Sequence, residues 1–222
     1  MPNVKNGQLS AHHTTIRSAC QAFGFVFFSV SRYPVYMKRL KQFKGGLTIC
    51  YIGNGKGKTT AAVGVAVRAA GYGKRVAFVQ FFKSKQWPSG ERASLAKLGI
   101  AVMVLGKGFV GIWGDKLSLA THKQAARQAL AKSKALVMSG RYDLVILDEI
   151  ISSIESGLIS VKDVVILLRQ RKKSVKARKT HIILTGHTKY PKILALADLV
   201  TEMRSLRHPF DKGFLAVKGI DY

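Results

Sequence analysis

Apolar runs of strand length recur along the chain, separated by segments with helical patterning. Leu47–Ile52, Arg75–Phe82, Ile100–Leu105, Asp143–Glu149, Thr180–Thr185 and Leu199–Met203 are rich in Val, Ile, Leu, Phe and Ala. Runs this short and this continuous predict strands buried on both faces. Between them, Ala61–Ala70 closes at Gly71-Tyr72-Gly73, and the alanine-rich Leu117–Ser139 carries neither Pro nor Gly until Gly140. Both predict helices with glycine stops. Shorter helices are expected at Arg92–Leu98, Val161–Arg171 and Tyr190–Ala197. Strands alternating with helices imply an α/β domain with a mostly parallel sheet covered on both faces. Two longer loops interrupt the alternation. Lys83–Glu91 contains Pro88 and Gly90, and Gly106–Lys116 contains four glycines with Phe109 and Trp113 at a predicted sheet edge. No internal repeat is visible.

The chemistry concentrates where the first strand ends. Leu47–Ile52 runs into Gly53-Asn54-Gly55-Lys56-Gly57-Lys58-Thr59-Thr60, and a helix follows. A glycine-rich turn opening a helix aims successive backbone N–H groups at one point, where they can hold phosphate oxygens. Lys58 adds a charge, and Thr59 offers a hydroxyl to a phosphate-bound Mg²⁺. The loop departs from G-x-x-x-x-G-K-[ST]: Ile52 stands where the first glycine belongs, so the loop is one residue shorter, and it carries an extra lysine, Lys56. With this motif the fold class becomes P-loop NTPase-like (RecA-like). In an open parallel sheet, ligands lie beyond the carboxyl ends of the strands. Gln80, Asp148-Glu149 and Gly186-His187 sit at such ends, and a strand ending in acids supplies the carboxylates of a Mg²⁺–nucleotide site.

Composition sets outer limits. The 222 residues fit one α/β domain plus an appendage, divided here into an N-terminal extension, 1–43, and a P-loop domain, 44–222. Met37 would be a sensible natural start, which leaves open whether the extension exists in the cell. Thirty-seven Lys and Arg face 11 Asp and Glu, a formal charge of +26 that attracts polyanions. Only Arg171–Lys179 is dense, and the even spread of the remainder fits a generally basic surface. Cys20 and Cys50 make no disulfide framework, and no Cys/His cluster has zinc spacing. The charge-free stretch Ser18–Ser31 is too short to span a bilayer. Together with an ATP site, these features point to the cytoplasm and to no membrane partner.

Several motifs occur in a fixed order: Gly53–Thr60, Val79-Gln-Phe81, Trp87-Pro-Ser-Gly-Glu-Arg92, Tyr142–Glu149, Ala197–Met203, His208-Pro-Phe-Asp211 and Lys218-Gly-Ile-Asp-Tyr222. Together they resemble the P-loop class of ATP:corrinoid adenosyltransferases across residues 44–222. The resemblance implies that cob(I)alamin, or another reduced corrinoid, attacks C5′ of ATP and releases triphosphate, in adenosylcobalamin biosynthesis or salvage. It implies ATP contacts from Gly53, Asn54, Gly55, Lys56, Gly57, Lys58, Thr59 and Thr60, and from His187 at the place of a phosphate-contacting arginine. Thr59 and Glu149 would ligate Mg²⁺ (or Mn²⁺), with Asp148 behind them, and Lys58, Thr59 and Glu149 would carry catalysis. Phe109 and Trp113 would contact the corrin ring, Trp113 four positions after the Phe where many relatives have two. It further implies a homodimer and a flavoprotein reductant.

Two departures mark this chain. The resembled pattern reads Thr-Gly-Arg after the fifth strand, with the arginine on phosphate, whereas this chain has Thr185-Gly186-His187. Arg169–Lys179 replaces a short turn, and it or Lys189 could make up the missing charge. Three functions therefore stand open: the adenosyltransferase, with no nucleic-acid partner; a basic P-loop ATPase acting on nucleic acid; and a nucleotide-binding relative with weakened catalysis.

Overall fold

The computed structural model describes residues 43–111 and 114–222. Residues 1–42, with Cys20 and the Ser18–Ser31 stretch, lie outside the described residues, as do Ile112 and Trp113. The strands are β1 (Thr48–Ile52), β2 (Val76–Gln80), β3 (Ala101–Val104), β4 (Leu144–Asp148), β5 (His181–Thr185) and β6 (Leu199–Glu202). The helices are α1 (Lys58–Gly71), α2 (Gly90–Lys97), α3 (Leu119–Met138), α4 (Ile150–Glu155), α5 (Val161–Lys173) and α6 (Pro191–Leu194). One sheet has the order β3-β2-β4-β5-β1-β6, and every neighbouring pair is parallel. All six carboxyl ends therefore share one edge of the sheet.

Side-chain alternation divides the core. Val76, Phe78, Leu144, Ile146 and Ile183 point to the face packed by Ala62 and Ala66 of α1 and Leu95 of α2. Ala77, Val79, Val145, Leu147, Ile182 and Leu184 point to the face packed by α3, α4 and α5. The small alanines of α1 let that helix lie close to the sheet. β2 and β4 are buried at every position, as continuous apolar runs require, whereas the edge strand β6 is exposed throughout. Cys50 is buried as a small apolar side chain, and burial pushes its thiol up to about 12.

Side-chain caps fix the starts of two helices. Ser160 and Asp163 form a reciprocal capping box on α5, and Ser118 caps α3 by accepting from the Thr121 N–H. The short helix α4 has no counterpart among the expected elements, because its six residues are too few to show a period. The segment 169–179 differs from a basic surface turn. α5 runs through Lys173, and Arg171 is buried, donating to the Gly46 carbonyl and the Thr48 hydroxyl. Among the described residues no helix is long and apolar enough to cross a membrane.

Candidate active site

The phosphate loop leaves β1 and folds against the end of β6. Gly53 has φ 105°, and a Cβ there would lie 2.3 Å from the Met203 carbonyl oxygen, so only glycine fits. The Gly53 N–H donates to the His187 carbonyl (3.0 Å), and the Gly55 N–H donates to that of Met203 (2.8 Å). Gly57, at φ 107°, caps α1 without a side chain, and the first turn of α1 holds no acid. The helix thus presents bare N–H groups and the positive end of its dipole, which suits an anion. Lys58 is buried and donates from Nζ to the carbonyls of Gly53 and Gly55, both at 2.8 Å. Burial lowers its pKa, while the charges of Glu149 and Asp148 oppose that shift.

Behind the loop lies a knot at the ends of β4 and β5. Asp148 Oδ1 accepts from the Thr59 hydroxyl (2.9 Å) and from the Thr185 hydroxyl (2.8 Å). Thr185 Oγ1 in turn accepts the Glu149 N–H at 2.8 Å. Burial, and then the charge of Glu149, raise the Asp148 pKa, while the two threonine hydroxyls pull it back. Its second oxygen, Oδ2, is buried with no hydrogen-bond partner. Such an orphan is unusual in a native protein and calls for a cation or its water shell. Among the described residues no three His, Cys, Asp or Glu side chains converge to hold a metal. The donors therefore fit Mg²⁺ as partners to phosphate oxygens, not as an all-protein cage. Glu149 takes φ 64°, ψ 18°, and Ser152 donates to its Oε2.

Two loops build a third region. Gln80, at the end of β2, donates to Glu91 Oε1 (3.2 Å) and accepts from Arg92 Nε (2.8 Å). Lys83 also donates to Glu91 (2.6 Å). Burial opposes the ionisation of Glu91, but hydrogen bonds and the Lys83 charge outweigh it and lower the carboxyl to about 2. Arg92 then closes the loop, donating to the carbonyls of Ser84 and Trp87, both at 3.0 Å. Alongside, Gly106 passes so close to β2 that a Cβ would lie 2.3 Å from the Phe81 carbonyl, and the Gly108 N–H donates to Phe82 (2.8 Å). This places Phe109 in a stack on Phe82 (5.6 Å, 28°) and edge to face with Trp87 (6.2 Å, 79°).

The structure brings Gly53 to Thr60, Asp148, Glu149 and His187 together at one edge of the sheet. The Asn54 side chain accepts from the Ser205 N–H at 3.4 Å, and Thr60 is exposed. Lys56 pairs with Asp221 near the chain's end. His187 contributes its backbone to Gly53, while its ring lies 3.5 Å from the Ser152 hydroxyl and 3.7 Å from Glu155. Lys189 is engaged by Glu202 at 2.9 Å. Trp113 lies outside the described residues. The motifs contain Thr185, whose link to Asp148 spans 37 positions, and Asp221, but nothing local in the sequence gives either a role. The same holds for Glu91 and Arg92 in the Trp87–Arg92 motif, whose contacts appear only once the loop is folded.

A family profile described as ATP:corrinoid adenosyltransferase BtuR/CobO/CobP matches residues 44–222. The chain belongs to that family. The corrinoid adenosyltransferase of Escherichia coli K12 is 38% identical to it over 181 residues, covering 82% of this chain and 88% of the relative. Corrinoid adenosyltransferase CobA of Salmonella typhimurium LT2 is 37% identical over 183 residues, with the same coverage. Among solved structures, flagellar accessory protein FlaH of Methanocaldococcus jannaschii has a TM-score of 0.45 at 15% identity, over 71% of each chain. As an ATP:corrinoid adenosyltransferase, the chain takes ATP and a corrinoid as substrates. The nucleic-acid ATPase is set aside by that membership, and the burial of Arg171 removes one charge from the block that suggested it.

Proposed function

We propose that this adenosyltransferase moves the 5′-deoxyadenosyl group of ATP to the Co(I) centre of a reduced corrinoid and releases intact triphosphate. The cobalt attacks C5′, the Co–C bond forms, and the C5′–O bond breaks with its electrons passing to the triphosphate. No protein nucleophile or general base is needed. The chain's task is to hold the leaving group and to receive its growing negative charge. What supports this is the unshielded amino end of α1 beside a buried Lys58. Lys58 would turn from the Gly53 and Gly55 carbonyls to phosphate, and Lys56 would exchange Asp221 for it. Gly53 to Thr60 would line the triphosphate, with the His187 ring at its margin.

Thr59 and Glu149 would hold Mg²⁺ (or Mn²⁺), with Asp148 positioning them. The orphaned Asp148 oxygen supports that placement. When bound, the ion neutralises charge on the phosphate oxygens. Phe109 and Trp113 would meet the corrin ring, where apolar packing can displace the lower ligand of cobalt. Residues 1–43 would form an extension to the 44–222 unit. A homodimer, a flavoprotein reductant and a cytoplasmic setting, which suits the buried free thiol of Cys50, complete the proposal.

The test mixes the full chain with ATP, Mg²⁺ and chemically reduced cob(I)alamin and follows the corrinoid spectrum. Conversion to adenosylcobalamin is expected, slowed about a hundredfold to a thousandfold in Lys58→Ala with circular dichroism unchanged. An unchanged rate in that variant would sink the site assignment.

A further inference from the structure

We propose that Trp87 is a further corrin-contacting residue, its indole extending the aromatic surface begun by Phe109. The inference rests on the corrinoid reaction proposed above and adds to it a contact on a different loop.

Trp87 is 48% exposed, and its contact with Phe109 is edge to face, which leaves indole surface open. Phe82, beneath, is almost fully buried and stacks on Phe109. The three rings thus form a graded surface, from core to solvent, with Trp87 outermost.

The loop that displays this indole is held firmly. Arg92 binds the carbonyls of Ser84 and Trp87, and Gln80 and Lys83 fix Glu91 on the adjoining turn of α2. An exposed, rigidly mounted indole loses little conformational freedom when a flat apolar partner covers it, which makes such residues effective binding contacts. A corrin is a broad ring with apolar faces, and its size suits a surface of more than one aromatic side chain.

The loop that carries Trp87 also contacts the chain's last residues. The Tyr222 carbonyl lies 4.0 Å from the Cβ position of Gly90, at the end of the Trp87 loop, and the adjacent Asp221 pairs with Lys56 in the phosphate loop. In the ligand-free chain the last residues thus connect the Trp87 loop with the phosphate loop, so the two belong to one end of the sheet.

The test titrates cob(II)alamin into full-length wild type, Trp87→Phe and Trp87→Ala, and measures ATP affinity in each. The corrinoid Kd is expected to rise about tenfold or more in Trp87→Ala and by no more than about threefold in Trp87→Phe, with ATP affinity unchanged. An unaltered corrinoid Kd in Trp87→Ala overturns the contact. So does an equal loss of ATP affinity, which would mark the residue as a support for the fold. A wild type that binds cob(II)alamin through Trp87 yet never forms adenosylcobalamin would remove the reaction and leave the contact standing.

Discussion

Glu149 is the only non-glycine residue among those described with a positive φ, and it stands next to the buried Asp148. Left-handed backbone at a residue with a Cβ costs about 1–2 kcal/mol and is found where function demands it. Its N–H is held by Thr185, so the backbone is pinned, and its carboxylate accepts from the Ser152 hydroxyl. Glu149→Gly should therefore unfold at higher urea, by up to about 1 kcal/mol, while adenosyl transfer is lost. Unfolding curves and turnover on the same preparation check both halves. The acids at 148 and 149 were legible from the sequence because an apolar strand ending in carboxylates is a local pattern. Thr185 was not, since its part depends on β5 lying beside β4. Nor was the pairing of Lys56 with Asp221, which joins positions far apart in the chain.

At the scale of elements, the loop between β2 and α2 depends on Glu91. Its ordinary carboxyl value of 4.5 falls to about 2 in the folded chain. A depressed folded-state value contributes stability above the unfolded value, and that contribution disappears as pH falls from 4.5 toward 2. Glu91→Gln should accordingly be less stable than wild type at pH 7, with the gap closing across that window in melting temperatures. The end of α5 rests on Arg171. Arg171→Ala would strip the Thr48 hydroxyl and the Gly46 carbonyl of their donor and leave a hole, costing about 3 kcal/mol in urea unfolding. Periodicity revealed α5 and its apolar face. A run of cations reads as solvated surface, however, and only packing shows that one of them turns inward to tie the helix to β1.

Across the whole molecule, parallel pairing gathers the ends of all six strands, so loops distant in sequence meet along one edge. The architecture was legible because buried parallel strands are continuous apolar runs. The edge strand β6 was legible from the short run Leu199–Met203, although it is exposed throughout. The charge of +26 carried little about function. A short loop and a bare helix terminus did, because they suit an anion that must depart whole. Phosphorus NMR of the products formed from ATP with reduced corrinoid tests this most directly. Tripolyphosphate should appear in step with adenosylcobalamin and without ADP. ADP and orthophosphate, with the cobalt unalkylated, would mean that the cradle serves phosphoryl transfer instead.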